Sequence, residues 1–335
     1  MDEINIFLVS EQVIMLFIII IIGIYASKMK IIDAAATRAL SKLLLNITQP
    51  LLIITSFQID FEPEKLMNGF TILGVSVILH ISAAVLSKFI YMPFKKNRED
   101  KKIYEICSIF NNCAFLGYPV LKVIFGNDMG IFYGAFYTIF FNIFIWTYGV
   151  YLLSRETATE STDENGENGK KRKLSKSSVL KSAANIFLNT GFIASVIGVV
   201  MFIFQVKFTP VLYNSAKLVG DMTFPLSMLI IGSLIANLNF KTLFLSLKNY
   251  YYVVIKLIAL PLVVASIFCI IKADTYLIYV ATIMSSMPAA ANNAIFAEIY
   301  NANSELAGNL VGLSTLISIL SIPVVLHILD FMLAI

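Results

Sequence analysis

The feature that most constrains this chain is a series of ten stretches without Asp, Glu, Lys or Arg. They run over 12–27, 43–59, 66–87, 106–121, 129–154, 182–206, 222–240, 257–271, 275–297 and 306–329. A bilayer's hydrocarbon core, about 30 Å thick, is crossed by roughly 20 apolar residues in helical form. Flanking lysines such as Lys42 and Lys256 lengthen the shorter stretches by snorkelling toward the interface. Helices are therefore predicted over 10–29, 39–58, 68–92, 103–125, 129–153, 183–205, 210–236, 248–271, 276–299 and 306–333. Strands of a membrane barrel would instead alternate over runs of about ten residues. Only 14% of the 335 residues are charged and 58% are hydrophobic, whereas a soluble domain carries about 25% charged residues. The expected fold class is all-α integral membrane. Cys107, Cys113 and Cys269 lie in or beside apolar stretches, which gives neither a disulfide framework nor a spaced metal site.

Ten crossings place both termini on one side. Basic residues gather in the loops after odd-numbered predicted helices, including Lys95, Lys96, Arg98, Lys101 and Lys102 after the third and Lys170, Lys171, Arg172 and Lys173 after the fifth. The positive-inside rule assigns those loops to the cytoplasm and both termini to the outside of a cell membrane. Arg155–Ser178 contains TESTDENGENG followed by KKRK; it has too little apolar surface to fold and reads as a linker. The expected organisation is a first five-helix unit over 1–153, a cytoplasmic linker over 154–181 and a second five-helix unit over 182–335. With an odd number of helices in each, a shared fold requires opposite orientations in the membrane.

Local patterns support such an inverted repeat. Asn46-Ile-Thr48-Gln-Pro50-Leu51 and Asp221-Met-Thr223-Phe-Pro225-Leu226 both fit [ND]-x-T-x-P-L, in the second and seventh predicted helices. The fourth carries Asn111-Asn112-Cys-Ala-Phe115 and the ninth Asn292-Asn293-Ala-Ile-Phe296. Each of this second pair also holds helix breakers: Gly117-Tyr118-Pro119 in one, Met287-Pro288 in the other. Proline removes a backbone donor and crowds the preceding turn. Paired interruptions in corresponding segments point to a transporter's binding site, with half-helix N-termini facing an anionic group. Asn111, Asn112, Gly117, Pro119, Pro288, Asn292 and Asn293 are accordingly the candidate substrate-binding residues. The amides of Asn112 and Asn293 are suited to donate to a carboxylate.

Ionisable residues at membrane depth default to functional candidates. Asp221 occupies the repeat position of Asn46, so the two units differ there by one carboxylate, whose open readings are a coupling-proton carrier, a cation ligand, or a structural group hydrogen-bonded to neighbouring helices. His80, Lys122 and Lys256 are further candidates, the first to titrate near neutrality or simply to be hydrogen-bonded, the second to add positive charge or to snorkel outward. No HExxH, GxSxG or phosphate-cradling loop occurs, so neither an enzyme nor ATP use on this chain is expected.

At these residues the chain resembles the auxin efflux carrier family, which includes plant auxin exporters and bacterial permeases. NNCAFLGYPVL (Asn111–Leu121) is similar to that family's N-x4-G-x-P-L segment, and MPAAANNAIFAEIYNANSELAG (Met287–Gly308) to its ninth and tenth helices. The resemblance implies ten transmembrane helices as two inverted five-helix repeats with broken, crossing helices 4 and 9. It also implies extracellular termini, a homodimer, a scaffold of helices 1, 2, 6 and 7, and a moving transport unit of helices 3–5 and 8–10. The short linker suits a prokaryotic permease. Expected partners are a small organic anion and the lipid bilayer, with no nucleic acid and no cofactor; coupling to H+, Na+ or the membrane potential is left open. The rival readings are a sodium-coupled symporter of the bile-acid type and a membrane anion sensor without flux.

Overall fold

A computed structural model describes residues 6–94, 97–126, 128–154, 189–236, 246–300 and 302–333. Almost all of the expected linker over 154–181, and the start of the sixth predicted helix, lie outside the described residues. The helices are α1 Ile6–Lys28, α2 Ala34–Ser56, α3 Pro63–Ile90, α4 Arg98–Ile109, α5 Cys113–Phe125 and α6 Met129–Leu153. After the linker come α7 Thr190–Ile203, α8 Pro210–Ala236, α9 Leu247–Ile270, α10 Thr275–Ser286, α11 Asn292–Ile299 and α12 Ser304–Leu333. Six of these (α2, α3, α6, α8, α9 and α12) are long and apolar enough to cross a membrane. Shorter apolar helices occur at Ile14–Lys28, Cys113–Phe125, Thr190–Ile203 and Thr275–Ser286. Large apolar side chains such as Ile21, Ile78, Phe89, Leu320 and Val324 are exposed on the outside, the inverse of a water-facing surface.

Helix ends follow local chemistry. Asp33 accepts from Ala36 N at 2.7 Å at the start of α2, and Asn97 from Asp100 N at 3.2 Å at the start of α4; each satisfies a donor the first turn leaves open. Proline enters α3, α8 and other helical stretches at their first positions, where its missing N–H costs nothing. Gly126, at φ 69°, ends α5 in the left-handed conformation a side chain disfavours.

Three prolines inside helices share one feature. Widened π-turns at Leu44–Thr48, Cys113–Gly117 and Ile255–Ala259 immediately precede the helical stretches that open with Pro50, Pro119 and Pro261. The absent N–H would leave a carbonyl unpaired in the preceding turn, and at two of the three a hydroxyl from another helix donates there. Thr190 Oγ1 donates to Leu45 O at 2.6 Å, and Ser227 Oγ to Phe115 O at 3.1 Å. These contacts tie α2 to α7 and α5 to α8 while the helices continue past proline.

Packing gathers α1, α2, α7 and α8 on one side. There α1 lies so close to the second half of α8 that a Cβ added at Gly232 would run into the Ile20 carbonyl, and one at Gly23 would sit 2.6 Å from Leu229 O. On the other side α3 packs on α6, α9 on α10 and α11 on α12. Within the first group, Thr223 Oγ1 of α8 meets Thr48 Oγ1 of α2 at 3.0 Å, both side chains buried. These are the equivalent threonines of the two [ND]-x-T-x-P-L segments.

Candidate functional site

Two helical rods are interrupted, and the interruptions hold each other. One falls over residues 110–112, between α4 and α5; the other over 287–291, between α10 and α11. Asn112 N donates to Pro288 O at 2.7 Å and Ala290 N to Phe110 O at 3.0 Å, which sets Asn111 opposite Ala289 in a single antiparallel bridge. Backbone groups released by the breaks thus satisfy one another inside the protein, as membrane depth requires. Side chains complete the pairing. Asn111 Nδ2 donates to Met284 O at 2.7 Å, at the end of α10, and Asn293 Nδ2 to Phe110 O at 3.0 Å, at the end of α4. Asn112 Oδ1 accepts from Phe115 N at 3.3 Å and caps α5.

The position of the first break differs from the sequence expectation. Gly117 and Pro119 are not the interruption: they sit in and after the π-turn of a continuous α5. The wider turn absorbs the proline, and Ser227 satisfies the carbonyl it frees, so the chain breaks at the asparagines instead. Pro288, by contrast, does lie in the second break.

Beside the crossover is a pocket of about 60 Å³. Six carboxamides line it, Gln49, Asn111, Asn112, Asn142, Asn189 and Asn292, with no acidic or basic side chain among the lining residues. Three helices begin at its wall: α5 at Cys113, α7 at Thr190 and α11 at Asn292. Helix starts carry partial positive charge and unpaired N–H groups, so dipoles and amide donors converge on a space that holds no anion of its own. Gln49 Oε1 and Asn293 Oδ1 are buried without a hydrogen-bond partner. The volume admits a few waters, well short of the several hundred Å³ of a typical ligand pocket.

The family described as membrane transport protein matches residues 8–326. The chain belongs to the auxin efflux carrier family. It is accordingly a membrane transporter, from a family of transporters and not of enzymes. No curated protein matches it.

The carrier's remaining candidates lie away from the pocket. Asp221 belongs to an ion-paired quartet: Lys122 Nζ lies 2.8 Å from its Oδ1, Lys217 Nζ 2.7 Å from Asp128 Oδ2, and the cross pairs are 3.6 and 3.9 Å. Lys122 is thereby directed at α8 rather than outward, joining the end of α5 to the middle of α8. Asn46 is exposed and bonds only its own helix, at Lys42 O. His80 is buried in α3, with Nδ1 2.7 Å from Ser76 O and the rings of Phe110, Tyr137, Phe140, Phe141 and Phe144 around it. It lines a second cavity, of about 140 Å³, between α3 and α9.

Lys256 corrects a sequence expectation. It does not snorkel, because it lies nine residues into α9, about 14 Å along the axis and beyond the reach of its four-carbon stem. Its ammonium turns inward to Ser108 O at 3.3 Å and to Asn111 Oδ1. Sequence reasoning also passed over Gln49, Asn142 and Asn189, since uncharged amides outside the repeated motifs give no signal until folding brings them together. Among the described residues no group of three or more His, Cys, Asp or Glu side chains is placed to hold a metal ion.

Proposed function

We propose that this transporter moves a small organic anion, a carboxylate, by alternating access around the pocket beside the paired breaks. One observation carries the reading: six carboxamides and three helix starts surround a space with no acidic side chain in its wall. Such a site donates hydrogen bonds without supplying negative charge, which suits a carboxylate and repels no anion. Since the pocket's present size of about 60 Å³ has room for no more than a few waters, substrate binding requires the helices around it to part.

In this reading the six long and four shorter apolar helices are ten crossings, arranged as two inverted five-helix repeats over 1–153 and 182–335. The helices α1, α2, α7 and α8 form a scaffold, and the remainder is a transport unit that slides against it as an elevator, carrying the breaks. Both termini are outside, the linker over 154–181 is cytoplasmic, and two copies associate as a homodimer. Support comes from the bonded pair Thr48 and Thr223, one from each motif copy, and from the mutual pairing of the two breaks.

Counterflow in proteoliposomes tests it. Vesicles loaded with unlabelled malate, malonate, indole-3-acetate or a branched-chain keto acid should accumulate the labelled partner saturably, and Asn112→Ala should abolish the exchange. Uptake strictly dependent on sodium would favour a symporter of the bile-acid type. Binding seen by thermal shift, with no exchange of any anion, would refute transport and leave a sensor.

A further inference from the structure

We propose that Lys256 is the resident cation of the crossover: its ammonium, reaching the site through Asn111, balances the charge of the bound carboxylate and occupies the place a coupling metal ion would otherwise fill. The proposal rests on the carboxylate-transport reading above and adds to it the origin of the positive charge.

Lys256 is 1% exposed in the π-turn of α9. Both acceptors of its Nζ are neutral: Ser108 O lies in the last turn of α4, the helix end whose dipole favours a cation, and Asn111 Oδ1 two residues past that end. Its ionisable neighbours are His80, Cys107 and Cys113. Among the described residues no carboxylate pairs with it, whereas Lys101, Lys122 and Lys217 each have one. A buried charge without a counter-charge is costly, so the arrangement is incomplete until an anion arrives.

Asn111 connects the two regions. Its side chain lines both the 60 Å³ pocket and the 140 Å³ crevice that Lys256 lines. A lysine can only donate, so Asn111 must turn Oδ1 toward Nζ, which directs Nδ2 to the end of α10. Lys256 thereby fixes the asparagine at the bridge between the two breaks and extends positive charge to the pocket wall. Hard cations bind through several oxygen ligands; here Ser108 O and Asn111 Oδ1 already face the ammonium.

The test uses the full-length protein with Lys256→Ala and Lys256→Met. Alanine deletes the three methylenes and the ammonium that n-propylammonium can restore, and the crevice beside Ile78, Leu86, Val263 and Ile267, all exposed, gives that amine a route. Methionine fills the slot without charge. Melting is measured against n-propylammonium and against sodium replaced by N-methylglucamine, and carboxylate counterflow is measured in parallel. Propylammonium should stabilise the alanine variant saturably and leave the wild-type and methionine proteins unmoved. Both variants should lose about tenfold or more of the exchange, the scale of one charged hydrogen bond, and the amine should restore it in the alanine variant alone. Equal melting responses in all three proteins, a methionine variant exchanging at the wild-type rate, or wild-type exchange that requires sodium would each overturn the proposal. If the wild-type protein exchanges no carboxylate, the transport reading fails, and the melting comparison alone decides whether Lys256 occupies a cation site.

Discussion

The hydroxyl of Ser227 is expected to matter only because Pro119 exists. Pro119 has no N–H to offer the preceding turn, and Ser227 Oγ donates from α8 to the Phe115 carbonyl, four residues before it, at 3.1 Å. The same hydroxyl lies 2.8 Å from Phe224 O in its own helix, so one proton is shared between two acceptors. An unsatisfied buried carbonyl costs about 1–3 kcal/mol; the shared proton holds the expected loss in Ser227→Ala to about 1 kcal/mol, the low end of that range. Pro119→Ala restores an N–H to Phe115 O while loosening the unfolded chain by about 0.4–1 kcal/mol, so its net effect is close to zero. In that background Ser227→Ala should cost almost nothing. The coupling in the four-protein cycle is then about 1 kcal/mol, roughly fivefold in the unfolding equilibrium. Unfolding in mixed detergent–SDS micelles, followed by tyrosine fluorescence and proteolysis together, measures it. Additive losses within about 0.3 kcal/mol would refute the carbonyl-rescue account.

Gln49→Leu should leave melting nearly unchanged, because Gln49 Oε1 has no partner to lose, yet weaken half-saturation in counterflow by about tenfold, as removal of one donor to an anion implies. Asn112→Ala deletes the cap on Phe115 N and should lower stability by about 1 kcal/mol in the same micelle titration, besides abolishing exchange. Asp221→Asn weakens a half-exposed ion-paired quartet; a stability loss below about 1 kcal/mol and exchange within a few-fold of wild type are expected, and complete loss of proton-driven uptake would show that Asp221 carries the coupling proton. Gly232→Val drives a side chain into the Ile20 carbonyl and should destabilise by about 3 kcal/mol, seen as lost melting cooperativity.

Much of the architecture was legible because membrane helices declare themselves by runs without charge. The predicted 210–236 coincides with α8, and 129–153 with α6. Prolines were harder to read. From the sequence, Pro119 and Pro288 look alike, yet the first sits within a helix, because a π-turn and Ser227 accommodate it, and the second sits in a break. What decides between them is a hydroxyl more than a hundred residues away, which no local pattern contains. The two lysines reverse for a similar reason. Lys122 finds carboxylates on α8 and on the turn after α5, and Lys256 finds a carbonyl on α4 and the Asn111 amide just beyond it; flanking composition does not specify any of these partners. The pocket amides contributed by α2, α6 and α7 are invisible until the helices assemble.

The bond between Thr48 and Thr223 has a consequence for how such a chain can change over generations. A residue meeting its own counterpart is an isologous contact, the kind found on the two-fold axis of a dimer. If each half descends from a single ancestral unit, this is a place where that unit once touched a copy of itself, and one substitution then altered both partners together. Fusion into one gene removes that restriction, but the two hydroxyls still need each other, so this position stays tied. Two residues earlier the tie is absent: Asn46 is exposed and Asp221 faces two lysines, and there the two segments carry different residues with nothing to hold them alike.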